Sequence, residues 1–277
     1  MEKEPRIILK GLKFPEGPRW RDNKLWFSDM WQNKVMAVDP EGNSEVIIEM
    51  RNSPSGLGWD PQGRLLIVSM EDRRLLRLDP EGLTEVADIS HLATYHCNDM
   101  VVDNHGNAYI GNFGFDIIIN APFKPAEIIL VSSDGQARIV ADNMAFPNGT
   151  VITPNGNALI VGETFSARLT AFDIENDGSL TNRRIWASLK KGAVPDGICL
   201  DSEGGIWVAS PSTSEVLRVL EGGEVTNRIK IKDENSAYAC MLGGPSRKTL
   251  FICTTNDSRT NGRIESIEVD FPGAGLP

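Results

Sequence analysis

The 277-residue sequence has no basic excess and no Lys/Arg-rich block; 28 Lys and Arg stand against 38 Asp and Glu, a net charge of −10. Binding phosphates needs a basic face, so no nucleic-acid partner is expected. No stretch approaches the roughly 18 apolar residues of a spanning helix, so no membrane partner is expected either. The opening residues "MEKEPRIILKGL" lack an apolar signal segment, which points to a cytoplasmic protein. Cysteine is scarce. Cys97, Cys199, Cys240 and Cys253 show no CxxC spacing and read as reduced small hydrophobes rather than a disulfide framework. A G-x-S-x-G elbow is missing, which speaks against a serine hydrolase, as is a Walker-type phosphate loop. Helical periodicity is almost absent; only residues 86–94 suit a short helical turn.

What fills the chain instead is short β-rich runs of five to seven residues, such as "KLWFSDM", "RLLIVSM", "NALIVGE", "GIWVAS" and "TLFICTT". Turn tetrads such as "DPEG", "DPQG", "DNHG", "TPNG" and "DSEG" separate them. The runs recur in fixed order. Taking Gly17, Gly56, Asp99, Gly149, Gly197 and Cys240 as equivalent markers, the gaps are 39, 43, 50, 48 and 43 residues. A period near 40 to 50 with about four strands per repeat indicates propeller blades. The expected fold is an all-β, six-bladed β-propeller with four-stranded blades, forming one domain over residues 1–277. A pair of β-sandwiches would not repeat in register at this period.

Four repeats write Pro-X-Gly: "FPEGPRW" at 14–20, "SPSG" at 53–56, "FPNGTVI" at 146–152 and "VPDGICL" at 194–200. Pro fixes φ and Gly lets backbones approach, which suits inner strands crowding an axis. That logic does not explain X, which reads Glu16, Ser55, Asn98, Asn148 and Asp196 before the motif breaks down at Tyr238/Ala239. A closed ring brings these positions to one mouth. Two carboxylates there would repel unless a cation sat between them. Glu16, Asn148 and Asp196 offer only oxygen donors, which favours a divalent ion such as Ca²⁺, Mg²⁺ or Mn²⁺, with Zn²⁺ possible. Asn-Gly and Asp-Gly are also ordinary turn dipeptides, and the residues alone leave both readings open.

The set "FPEGPRW", "CNDMVVD", "FPNGTVITPNG", "VPDGICLDSEGGIWVA" and "CMLGGPSRKTLFICTT" resembles the SMP-30/gluconolactonase/LRE-like family, in order, over about residues 12–270. That resemblance implies a six-bladed propeller that binds one divalent ion and opens lactones. It puts the metal ligands on Glu16, Asn148 and Asp196, a substrate-contacting Asn on Asn98, and the catalytic carboxylate on Asp196. The family often has Arg two residues before the Asn98 position and Gly after the Asn-Asp pair; here stand His96 and Met100. A bulkier, less polar pocket floor follows, favouring a simple aliphatic or aromatic lactone over a sugar lactone. Phe113 and Phe115 are candidates to line it, and the long segment 112–127, "NFGFDIIINAPFKPAE", is the expected lid.

The expected function is a metal-dependent lactonase acting on a small molecule, with Asp196 and Asn98 as catalytic residues and His96 as an alternative proton acceptor. The same site would also suit aryl esters or organophosphates. A non-enzymatic binding propeller is the remaining alternative, since fold does not fix function.

Overall fold

The computed structural model describes residues 4–274, and these form 24 strands in six four-stranded antiparallel sheets. The sheets stand in a ring: a six-bladed β-propeller. Residues 15–49, 54–88, 97–144, 147–188 and 198–230 make blades 1 to 5. In each, the four strands follow one another from the axis outward. Blade 6 differs. Its inner three strands are Ser236–Gly243, Thr249–Thr255 and Gly262–Glu268, and its outer strand is Arg6–Leu12 from the opposite end of the chain. Its Leu12 is buried, and Ile8 and Leu9 pack against the neighbouring core.

The apolar clusters lie mainly between blades rather than within them. Leu66, Val68 and Leu75 of blade 2 pack on Met100, Val102 and Ile110 of blade 3. Leu169 and Ala171 of blade 4 pack on Val208 and Leu217 of blade 5. Burying one such Leu or Val stabilises by about 1.5–3 kcal/mol, so the blades hold one another in place.

Two local devices recur. In "DPEG" and its relatives the Asp carboxylate caps its own turn; Asp39 Oδ1 accepts from Glu41 N at 3.0 Å and Asn43 N at 2.8 Å. Five of the six inner strands also carry a one-residue register shift soon after their entry, between Glu16 and Arg19, Pro54 and Leu57, Cys97 and Met100, Pro147 and Thr150, and Ala237 and Ala239. Such bulges re-aim side chains. In blade 5 the paired strand Ile198–Leu200 begins only after the motif.

Two expectations need correction. Residues 86–88 belong to the outer strand of blade 2, and the helical turn shrinks to one turn closed by Ala93 N donating to Ile89 O. The sixth marker falls at Ala239, not Cys240: a Cβ on Gly197 would stand 2.4 Å from Ala239 Cβ, and the bulge ends there. Tyr238 therefore occupies the X position of blade 6.

All four cysteines are buried and unbridged. Among the described residues no helix is long and apolar enough to cross a membrane.

Candidate active site at the propeller mouth

The X residues gather because the Gly positions let the inner strands touch. A Cβ on Gly149 would lie 2.4 Å from Ile198 N and 2.6 Å from Asp196 O. Any side chain there would force blades 4 and 5 apart. Gly149 N donates to Asp196 O at 3.2 Å, and Gly197 N to Tyr238 O at 2.8 Å. In blades 1, 4 and 5 the polar residue ending the second strand then fixes the loop feeding the X residue of its own blade. Asp29 accepts from Lys13 N and Phe14 N, both at 2.9 Å, and Glu163 accepts from Ala145 N at 2.8 Å. Ser210 Oγ accepts from Val194 N at 3.2 Å.

At the mouth the Asp196 carboxylate accepts a hydrogen bond from the Asn148 side chain. That amide nitrogen also donates to Thr164 Oγ1 at 3.3 Å. The charge of Asp196 reaches Glu16. The surrounding protein strips water from both. Desolvation first, then Asp196, pushes the Glu16 carboxyl well above its usual range, against one hydrogen bond from Gly17 N at 2.9 Å. Asp196 is pushed up to about 7, mainly by desolvation and against the Asn148 hydrogen bond.

Asp99 fills the Gly position of blade 3, with Gly56 of blade 2 leaving it space. It forms a buried ion pair with Arg19 at 2.8 Å, and Arg19 also donates to the carbonyls of Pro18 and Met100. This pair braces the channel beneath the mouth. Desolvation still raises the Asp99 carboxyl, and its charge adds to the fields at Glu16 and Asp196.

Asn98 is buried beside blade 4, its amide nitrogen 3.5 Å from Pro147 O. His96 is half-buried, stacked on Tyr95 with ring centres 4.2 Å apart; desolvation lowers its pKa. Phe113 stacks on Phe146 at 4.7 Å, and Phe115 meets Phe165 edge-on at 5.3 Å. Phe146 immediately precedes Pro147-Asn148, and Phe165 follows Thr164. The rings therefore form an apolar wall beside the amide. Its rim is exposed: Phe123, Phe165, Ile118 and Ile119 each leave more than half their surface open, at 53, 57, 78 and 72 %.

Met100 is the exception. It is fully buried in the cluster between blades 2 and 3, its Cε pointing toward Gly58, so it does not form the pocket floor. The register shift after Cys97 reverses the alternation that would put Met100 on the face of Asn98.

Sequence reasoning missed Phe146, Thr164, Phe165 and Arg259. The first three adjoin recognised residues and could have been found by extending the repeat alignment. Arg259 lies in a loop of blade 6 that no motif marks. A cavity of about 520 Å³ lies at the far end of blades 3 and 4 among turns at Asp103, Asn104 and Asn155. There Asp103 already caps His105 N and Asn107 N.

The sequence pattern of the SMP-30/gluconolactonase/LRE-like region matches residues 14–256, from just before Glu16 to just past the second strand of blade 6. The chain belongs to this family. Among its relatives, a 6-deoxy-6-sulfogluconolactonase from Pseudomonas putida is 22 % identical over 276 residues, 95 % of this chain and 93 % of that protein. A pentonolactonase from Haloferax volcanii is 23 % identical, covering 98 % of this chain and 91 % of that one. In three dimensions this family member is similar to a calcium-binding protein, regucalcin, of Agrobacterium tumefaciens, with a TM-score of 0.84 at 19 % identity over 99 % and 96 % of the two chains. At that identity the likeness carries the fold alone.

The donor chemistry fits a hard cation. Among the described residues no three His, Cys, Asp or Glu side chains converge, so the donors on offer at the mouth are two carboxylates and, with the Asn148 amide turned over so that its oxygen faces Asp196, one amide oxygen. Carboxylates that destabilise one another's ionised forms are relieved by a divalent ion between them.

Proposed function

We propose that the protein is a metal-dependent lactonase, with Glu16, Asn148 and Asp196 as ligands of one divalent ion and Asp196 and Asn98 acting on the substrate. The supporting observation is the meeting of two desolvated carboxylates with an amide at an open mouth, in a family with lactonase members. An ion held there supplies Lewis-acid polarisation of an ester carbonyl and acidifies water at the site.

The chain's own residues do the rest. Asp196 takes the proton as water adds to the ester carbon. It can return that proton to the ring oxygen as the ring opens. Asn98 directs its amide toward the carbonyl oxygen, where negative charge develops. The lowered proton affinity of His96 and its stacking on Tyr95 suit a wall more than a base.

The apolar wall of Phe113, Phe115, Phe146 and Phe165 supports a lactone with an aliphatic or aromatic substituent, since it offers few donors for sugar hydroxyls. Ca²⁺ suits two carboxylates and a carbonyl, as Mn²⁺ or Mg²⁺ would.

Mutation tests the assignment. Glu16→Gln and Asp196→Asn should each lower turnover of a small lactone by about 10²-fold or more while the melting profile stays cooperative. Near-normal rates in either variant would remove the site from consideration.

A further inference from the structure

Arg259 is held with unusual care for a loop residue. Its φ is +56°, a left-handed conformation that costs a non-glycine residue on the order of 1 kcal/mol. The loop compensates: Asn256 Oδ1 accepts from Thr260 N at 2.9 Å and Asn261 N at 3.3 Å, and Asn256 O accepts from Arg259 N at 3.0 Å.

The guanidinium is then clamped between aromatic faces. Its central carbon lies 4.1 Å from the Phe14 ring centre and 4.4 Å from that of Tyr238, and those two rings meet edge-on at 4.9 Å. It also donates to Asn256 O at 3.3 Å and to the Tyr238 hydroxyl. These partners are a carbonyl, a phenol and two π faces, and none is anionic. Cation–π contact holds a cation without neutralising it.

The clamp sits at the mouth. Phe14 is two residues before Glu16, and Tyr238 occupies the X position of blade 6, hydrogen-bonded through its carbonyl to Gly197 next to Asp196. The charge of Arg259 reaches both Glu16 and Asp196. A counter-ion for these carboxylates is the simplest role for it. A divalent ion on Glu16 and Asp196 would balance both negative charges, however, and leave the Arg259 charge uncompensated beside the reacting centre.

We infer that Arg259 is a carboxylate-recognition residue, which binds the acid group that lactone opening creates. This rests on the lactonase reading. In that reaction water adds its oxygen to the carbonyl carbon, the ring C–O bond breaks, and the ring oxygen takes up a proton. The new carboxylic acid then ionises, so a neutral substrate becomes an anion within reach of the guanidinium. On the opposite side the phenylalanine wall takes the substituent. Specificity then reads as an apolar group at blades 3 and 4 and an anionic end at blades 6 and 1.

Binding without turnover tests this. Calorimetric titration of 5-hydroxypentanoate, the ring-opened form of δ-valerolactone, into the Ca²⁺-supplemented protein would be compared with the neutral 1,5-pentanediol. Arg259→Gln should weaken carboxylate binding about tenfold and leave the diol unchanged. Arg259→Lys, which keeps the charge but loses the planar fork, should fall between. Equal carboxylate affinity in wild type and Arg259→Gln would overturn the inference. So would an equal loss for the diol, or no preference of the wild type for the acid. Because nothing is hydrolysed, the lactonase reading stands or fails separately: an intact Arg259 effect in a protein that opens no lactone would reject that reading alone.

Discussion

In the proposed mechanism Asp196 carries the chemistry, and its environment makes a claim about pH. Its folded carboxyl releases its proton near 7, whereas the same carboxyl in an unfolded chain does so near the ordinary aspartate value of about 3.9. Between these values the folded state holds the proton more tightly. This group therefore favours the metal-free fold at low pH, and the benefit is lost as pH rises through the window; above about 7 the full penalty is present, a few kcal/mol in size. An ion that pairs with the carboxylate removes the penalty. The rise in Tm on adding Ca²⁺ should consequently be larger at about pH 8 than at about pH 5. Differential scanning calorimetry at both values checks this, and an equal or inverted effect would count against a metal on Asp196. At this scale much was legible. Glu16, Asn98, Asn148 and Asp196 stand out because X varies where Pro and Gly do not. Met100 and Arg259 were not, since a bulge reversed the first and a loop with no repeat partner carries the second.

Among the elements, the segment between the second and third strands of blade 3 shapes the mouth. Residues 113–125 contain no strand; their Ile118, Ile119 and Phe123 are exposed, and Phe123 lies beside Phe165 of blade 4. Exposed apolar clusters of this kind mark binding surfaces. A ring-substituted lactone with a longer alkyl chain should gain in kcat/KM by a few-fold per methylene until the wall is covered. Phe165→Ala should flatten that gain by about tenfold for the longest chain and leave the unsubstituted lactone unchanged. A steady-state series over chain length decides it; an identical slope in the variant would mean the wall is not a binding surface. The length and composition of 112–127 announced a loop with apolar content. That Phe146 and Phe165 join it from blade 4 depends on ring packing, which no local pattern encodes.

For the whole molecule, closure matters most. The strand Arg6–Leu12 completes blade 6 by pairing with Gly262–Glu268, tying the two ends of the chain together. Blade 6 in turn carries Tyr238 and Arg259 and packs on the blades that hold Glu16 and Asp196. Removing residues 1–12 would expose an unpaired strand edge and uncover part of the core around Leu12. The expected result is a fall in Tm of at least about 10 °C, with aggregation on heating, checked by calorimetry and light scattering. A shift of a degree or two would show that the ring holds without this strand. The six-fold repeat was readable from marker spacing and turn tetrads. The closure was not, because the first strand sits outside every repeat and finds its partner only when the ring forms.

The site itself exists only at this largest scale, since its proposed ligands come from blades 1, 4 and 5. Its central claim is a divalent ion that opens lactones. Proton release would be followed with δ-valerolactone, dihydrocoumarin, gluconolactone and xylonolactone, using chelator-stripped protein and then Ca²⁺, Mn²⁺ or Zn²⁺ added singly. The account predicts no turnover without an ion, turnover restored by at least one, and faster opening of the apolar lactones than of the sugar lactones. Equal turnover in the stripped and reloaded protein, or none with any ion and lactone, would contradict it.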